Sequence, residues 1–274
     1  MRIAQIILPS ASEYERKSQR ADQFALSANH DIVVVPAADA AASGAQVAHV
    51  YARGELPLAL FRRFPLPYVA AADVRKSRWP LGRAVAPAIV VSPLPPREPG
   101  RERALPEAVE DAYFAASRPV RQEPEGMTVG SFARPSVRNQ VEQTLARIHR
   151  FRDDVSWLVF DRVPSPEDLA GVDVWVDPAI EEDDFDGFVA EALVVGLPVV
   201  ASRTPINVGR LEEGRTGFLV PPRDPNEMTH AILTALFKRE AAEGRQIAAR
   251  QTVSKFRIRQ RIRVLTHMYE TLIP

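Results

Sequence analysis

The stretch VDVWVDPAIEEDDFDGFVAEALVVGLPVVASRTPINVGRLEEGRTGFLVPPRDP, residues 172–225, decides how the chain is read. Residues 172–176 are an apolar run of strand length, and residues 188–195 are apolar apart from Glu191. Gly196 supplies a helix stop, and residues 197–201 form a second apolar, β-branched run. This order predicts a strand, an acidic turn at 181–186, a short helix and a second strand, which is a βαβ unit. Open α/β sheets place ligands outside the carboxyl ends of their strands, where the acidic turn falls. The helix N-terminus beside it carries a partial positive charge suited to phosphate, so a nucleotide-type ligand is expected.

Outward from this unit the chain reads as two strand-helix series. Residues 2–8 predict a strand, 13–28 a helix and 31–35 a second strand, with short apolar runs at 46–51, 68–71 and 88–91 extending a parallel sheet. SPLPPREPG, residues 92–100, contains four prolines and excludes both a helix and an inner strand, so the interdomain boundary is expected near 93–106. A second series runs through a strand at 127–130, a helix at 137–150 and a strand at 156–160. The last helix is expected over 247–272, with Ile258, Ile262, Leu265, Tyr269 and Leu272 near one face. Lys255, Arg257, Arg259, Arg261 and Arg263 flank that stripe; they read either as solvated, snorkelling cations or as a basic edge for an anionic phospholipid surface.

Composition bounds the function classes. Thirty-five basic side chains balance thirty-five acidic ones, so no global field steers the chain to nucleic acid. The absence of cysteine excludes disulfides and thiolate metal sites and fits a cytoplasmic protein. No run approaches the ~18 apolar residues of a membrane span, and the opening MRIAQIILPS is too brief for a signal segment. The chain carries no Gly-x-Ser-x-Gly, phosphate-loop, Gly-x-Gly-x-x-Gly or His-Glu-x-x-His motif, which removes the usual support for hydrolase, NTPase, dehydrogenase and zinc-protease chemistry.

Asp183 to Glu191, followed by Ala192-Leu193 and Gly196-Leu197-Pro198-Val199-Val200, resembles the donor-binding segment of family 4 (group 1) glycosyltransferases. Seven residues separate the two acids, an aromatic lies between them, and Glu213 to Val220 is similar to the family's next element. The resemblance implies an α/β fold of two facing Rossmann-like domains with a cleft between them, the GT-B architecture. The expected division is 1–104 as an acceptor-side domain, 105–246 as a donor-side domain and 247–274 as a closing helix returning to the first. It also implies a metal-independent, retaining transfer of a sugar from a nucleotide-diphosphate donor to an acceptor hydroxyl, with no further cofactor. The acceptor is expected to be a glycan or a lipid-linked molecule, with peripheral membrane contact in the latter case.

The acidic turn admits three readings: a solvated loop, an Asp-x-Asp metal site at Asp184 and Asp186, and a sugar-donor site. In the donor reading Asp183 accepts hydrogen bonds from the transferred sugar and Glu191 from ribose hydroxyls. Backbone N–H groups of Asp186, Gly187 and Phe188 then face the diphosphate. Ser131 stands at the family's usual arginine position, so Arg134 and Arg138 are the substitute cations, chosen by chemistry. His49 is a candidate sugar contact or a satisfied core histidine. The loop 9–13 lacks glycine, Gly209 replaces a frequent glutamate, and the region 156–172 looks shortened. These departures keep a second reading open, a catalytically silent relative that binds a nucleotide or glycan or supports a partner enzyme.

Overall fold

A computed structural model describes residues 1–9, 11, 13–52, 66–71, 89–92, 102–116, 126–180 and 187–273. The chain divides into two compact units, Met1–Ala108 with Phe256–Pro274, and Val109–Lys255. Each holds a parallel sheet of Rossmann type.

In the first unit the strands are β1 (Arg2–Ile7), β2 (Asp31–Val34), β3 (Val47–Tyr51), β4 (Tyr68–Ala71), β5 (Ile89–Ser92) and β6 (Glu102–Ala104), in the order β2-β1-β3-β4-β5-β6. Successive side chains of a strand point to opposite faces, and both faces here are covered. Ala4 and Ile6 pack with Ala48, Val50 and Ala70 on one face. Ile3, Val47 and Val69 pack on the other with Leu26 of α1 (Glu13–Leu26). Strand β6 is absent from the sequence reading because Glu-Arg-Ala has no apolar periodicity; only its parallel pairing to β5 defines it.

The second unit begins with α2 (Asp111–Ala115), followed by β7 (Met127–Phe132), α3 (Arg138–Ile148), β8 (Val155–Phe160), α4 (Pro166–Ala170) and β9 (Val174–Asp177). It continues through α5 (Val189–Val195), β10 (Val199–Ser202), α6 (Pro205–Arg210), β11 (Phe218–Val220), α7 (Pro225–Phe237) and α8 (Arg239–Thr252). The short region between β8 and β9 holds the single five-residue helix α4, started by a reciprocal Ser165–Asp168 capping box. The sheet order is β11-β10-β9-β7-β8, all parallel. Val129, Val174, Val176 and Val200 form its core with Met228, Ile232 and Ala235 of α7.

The expected single helix at 247–272 is two helices. α8 ends at Thr252, a 3₁₀ turn spans Val253–Phe256, and α9 runs over Ile258–Leu272. Arg257 is extended (φ −69°, ψ 136°), which interrupts the helix, and Phe256 is buried at the break. α9 belongs to the first unit, where Leu265, Met268 and Tyr269 are buried, each such burial contributing ~1.5–3 kcal/mol. Arg261 also departs from the solvated or lipid-facing expectation. It is 2% exposed and binds Asp22 of α1 through two hydrogen bonds, Nε to Oδ1 at 2.6 Å and Nη2 to Oδ2 at 2.8 Å.

Candidate functional site at the carboxyl edge of the second sheet

The second sheet reverses its direction of growth at β7. The chain passes from β7 outward to β8, then returns to place β9 on the other side of β7. Ligands of open α/β sheets bind where such strands diverge at their carboxyl ends. The residues leaving β7 and ending β9 therefore define the candidate site, and they include Arg134 and Asp177.

The local structure holds these two side chains together. Asp177 closes a strand whose four residues are all buried, and its carboxylate is fully enclosed. Arg134 Nη2 donates to Asp177 Oδ1 in a short ion pair, and Asn207 Nδ2 of α6 donates to Oδ2 at 2.7 Å. Asn207 also donates to the Ser202 carbonyl at 3.2 Å. Gly187 lies against the same carboxylate, where a Cβ would stand 2.7 Å from Oδ1. Only glycine admits that approach without displacing the pair. Trp175 Nε1 donates to the Gly187 carbonyl at 2.7 Å and fixes the point at which the acidic turn returns to the fold.

Phe188 takes a left-handed conformation (φ 51°), so α5 starts at Val189, one residue later than expected. The Phe188 ring is buried and meets Phe132 edge-on at 4.8 Å between centroids. Glu191, in the first turn of α5, is buried, and its charge acts on Tyr113 of α2. Burial first, and the Glu191 charge second, hold the Tyr113 hydroxyl well above its ordinary range; that hydroxyl donates to the Pro164 carbonyl at 2.7 Å. Ser202 Oγ and Thr204 Oγ1 are buried without hydrogen-bond partners among the described residues, which leaves polar capacity at the end of β10.

The structure thus gathers Arg134, Gly187 and Phe188 in one region, with Glu191 one turn further along the helix that Phe188 precedes, and places His49 in the other unit. Arg138 points to solvent from the first turn of α3 and pairs with Glu142 at 3.1 Å, a surface pair of small energetic weight. A recess of about 590 Å³ lies beside both arginines, lined also by Phe132, Pro135 and Val141. Asp183, Asp184 and Asp186 fall outside the described residues, and with them the donor and metal readings of the turn. Among the described residues no three His, Asp or Glu side chains are grouped to hold a metal ion.

His49 is corrected from candidate sugar contact to core residue. It is fully buried on β3 of the first unit, with Nδ1 at 2.6 Å from the Tyr269 hydroxyl and 3.1 Å from that of Tyr51. Burial, with the Arg261 charge adding to it, pushes its pKa well below 6.5. Asp177 and Asn207 are the residues that the sequence reading missed. An acid closing the apolar run VDVWVD was a usable signal for the first; nothing in PINVGR marked the second.

The chain is similar to known proteins in sequence and in fold. The family model described as "Glycosyl transferases group 1" matches residues 107–237. Sulfoquinovosyl transferase SQD2 of Arabidopsis thaliana is 38% identical over 90 residues, which cover 32% of this chain and 18% of that protein. A glycosyltransferase from Rickettsia africae superposes with a TM-score of 0.73 at 12% identity, covering 99% of this chain and 98% of its own. Anabaena HepE, solved with UDP and glucose, gives 0.73 at 14% identity, covering 99% of this chain and all of its own (100%).

Proposed function

Because residues 107–237 match the group 1 glycosyl transferase family model and the chain has the GT-B type of fold, we propose that it is a retaining glycosyltransferase using a nucleotide-diphosphate sugar. The observation that carries the reading is the Arg134–Asp177 ion pair, with Asn207 and Gly187 against it, between the diverging ends of β7 and β9. In the reaction, the bond from the anomeric carbon to the donor diphosphate breaks and the acceptor oxygen bonds to that carbon on the same face. The acceptor proton passes to an oxygen of the departing diphosphate. The protein contributes position and charge stabilisation. Glu191 and Asp183 serve as hydrogen-bond acceptors for the donor, Arg134 meets the diphosphate, and no metal ion is needed. Arg259 and Arg263 are exposed on α9 and offer a basic edge to a lipid-linked acceptor at the cytoplasmic membrane face.

One observation favours a second reading, a silent relative that binds without turnover. Both substitute cations are already engaged, Arg134 by Asp177 and Arg138 by Glu142. Titrating the purified chain with a panel of nucleotides and nucleotide sugars, then assaying the same donors for hydrolysis and transfer, separates the readings. Turnover excludes the silent relative, binding without turnover across the panel excludes the enzyme, and the absence of any nucleotide binding excludes both.

A further inference from the structure

Asp177 is a buried carboxylate at the carboxyl end of β9, beside the strand divergence where open α/β sheets take their ligands. Among the described residues Oδ1 accepts from Arg134 and Oδ2 from Asn207, and the missing side chain of Gly187 makes room for the carboxylate. An acidic side chain already bonded to Arg134 at the end of β9 competes with any phosphate that approaches the same guanidinium. We propose that Asp177 is the resident counter-anion of Arg134, holding its guanidinium in place without ligand and yielding it to the donor diphosphate on binding. This rests on the nucleotide-sugar reading and adds to it a residue that sets donor affinity by acting through Arg134.

The consequences follow from charge. Two anions cannot share one guanidinium cheaply in an enclosed site, so the Asp177 charge weakens diphosphate binding while leaving the nucleoside part untouched. The same charge keeps Arg134 oriented, which favours rapid release of the product diphosphate. Asp177 is thus a positioning residue, and its substitution acts on donor KM before kcat.

The test uses the full chain with UDP, inorganic pyrophosphate and, as the phosphate-free control, uridine. Asp177→Asn preserves volume and one acceptor oxygen while removing the charge. It is expected to tighten UDP and pyrophosphate binding about tenfold, to steepen the salt dependence and to leave uridine binding unchanged. Arg134→Gln is expected to weaken UDP binding and, in the double variant, to abolish the gain. Unchanged or weaker UDP binding by a folded Asp177→Asn variant, or a gain that survives Arg134→Gln, overturns the proposal. A structure of the wild type with UDP gives a variant-independent reading: Arg134 on phosphate supports the exchange, and an intact Arg134–Asp177 pair beside bound UDP overturns it. If the wild type binds neither UDP nor any other nucleoside diphosphate, the functional reading itself fails; wild-type binding that Asp177→Asn leaves unaltered removes only the role of Asp177.

Discussion

Glu191 lies buried in the first turn of α5, and Gln at that position keeps its shape while removing its charge. Glu191→Gln is expected to retain the fold and to lose ~1–3 kcal/mol of donor affinity by calorimetry, as for a charged hydrogen-bond acceptor. An undiminished donor affinity removes Glu191 from the site. Gly187→Ala tests the close approach to Asp177, since its methyl group must displace either the carboxylate or the backbone held by Trp175. A loss of ~1–3 kcal/mol in urea unfolding is expected, and a wild-type midpoint contradicts the packing described. His49 gives a pH dependence. Its pKa is well below 6.5 in the folded protein and ordinary in the unfolded chain, so below pH 6.5 the unfolded state takes up a proton that the folded state refuses. Its stability contribution is present above that pH and is lost as the pH falls, with a limiting slope of ~1.4 kcal/mol per pH unit. Comparing wild type with His49→Gln at pH 7 and pH 5 isolates this group from Asp22, Arg261, Tyr51 and Tyr269 around it. An equal loss in the two proteins contradicts the assignment.

Among the elements, α9 is held by both apolar burial and the enclosed Asp22–Arg261 pair, with Arg261 also donating to the Pro106 carbonyl at 3.1 Å. Removing one member of such a pair strands the other charge, so Asp22→Leu is expected to destabilise the first unit by ~3–5 kcal/mol. Replacing both residues by apolar ones should recover most of it, and a single variant as stable as the wild type contradicts the pairing. What was legible in the sequence followed from periodicity and stop residues: the strands around Val174 and Val199, the Gly196 stop (φ 90°) and the two series of parallel strands. Strand β6 and the break at Val253–Phe256 were not legible, because a three-residue polar edge strand and a buried Phe256 depend on tertiary partners. The same holds for the site. Gly187 was named from its place before the helix and Arg134 by its charge alone, whereas the Asp177–Asn207 contact joins residues 30 apart that only the sheet order brings together.

For the whole molecule, the proposed function requires donor binding without a metal ion, the diphosphate charge being met by Arg134. Excess chelator is expected to leave donor affinity unchanged, whereas loss of binding restored by Mg²⁺ or Mn²⁺ assigns the acidic turn to a metal site instead. Anionic vesicles should bind the chain in a salt-sensitive manner through Arg259 and Arg263, and equal binding to neutral vesicles contradicts a basic edge. The most direct measurement follows nucleoside diphosphate release and the anomeric proton of the product by NMR, with the wild-type chain, a panel of nucleotide sugars and hydroxyl acceptors, and chelator present. Transfer with the donor's anomeric configuration kept is the expected result; an inverted product, or no binding and no turnover with any nucleotide sugar, contradicts the assignment.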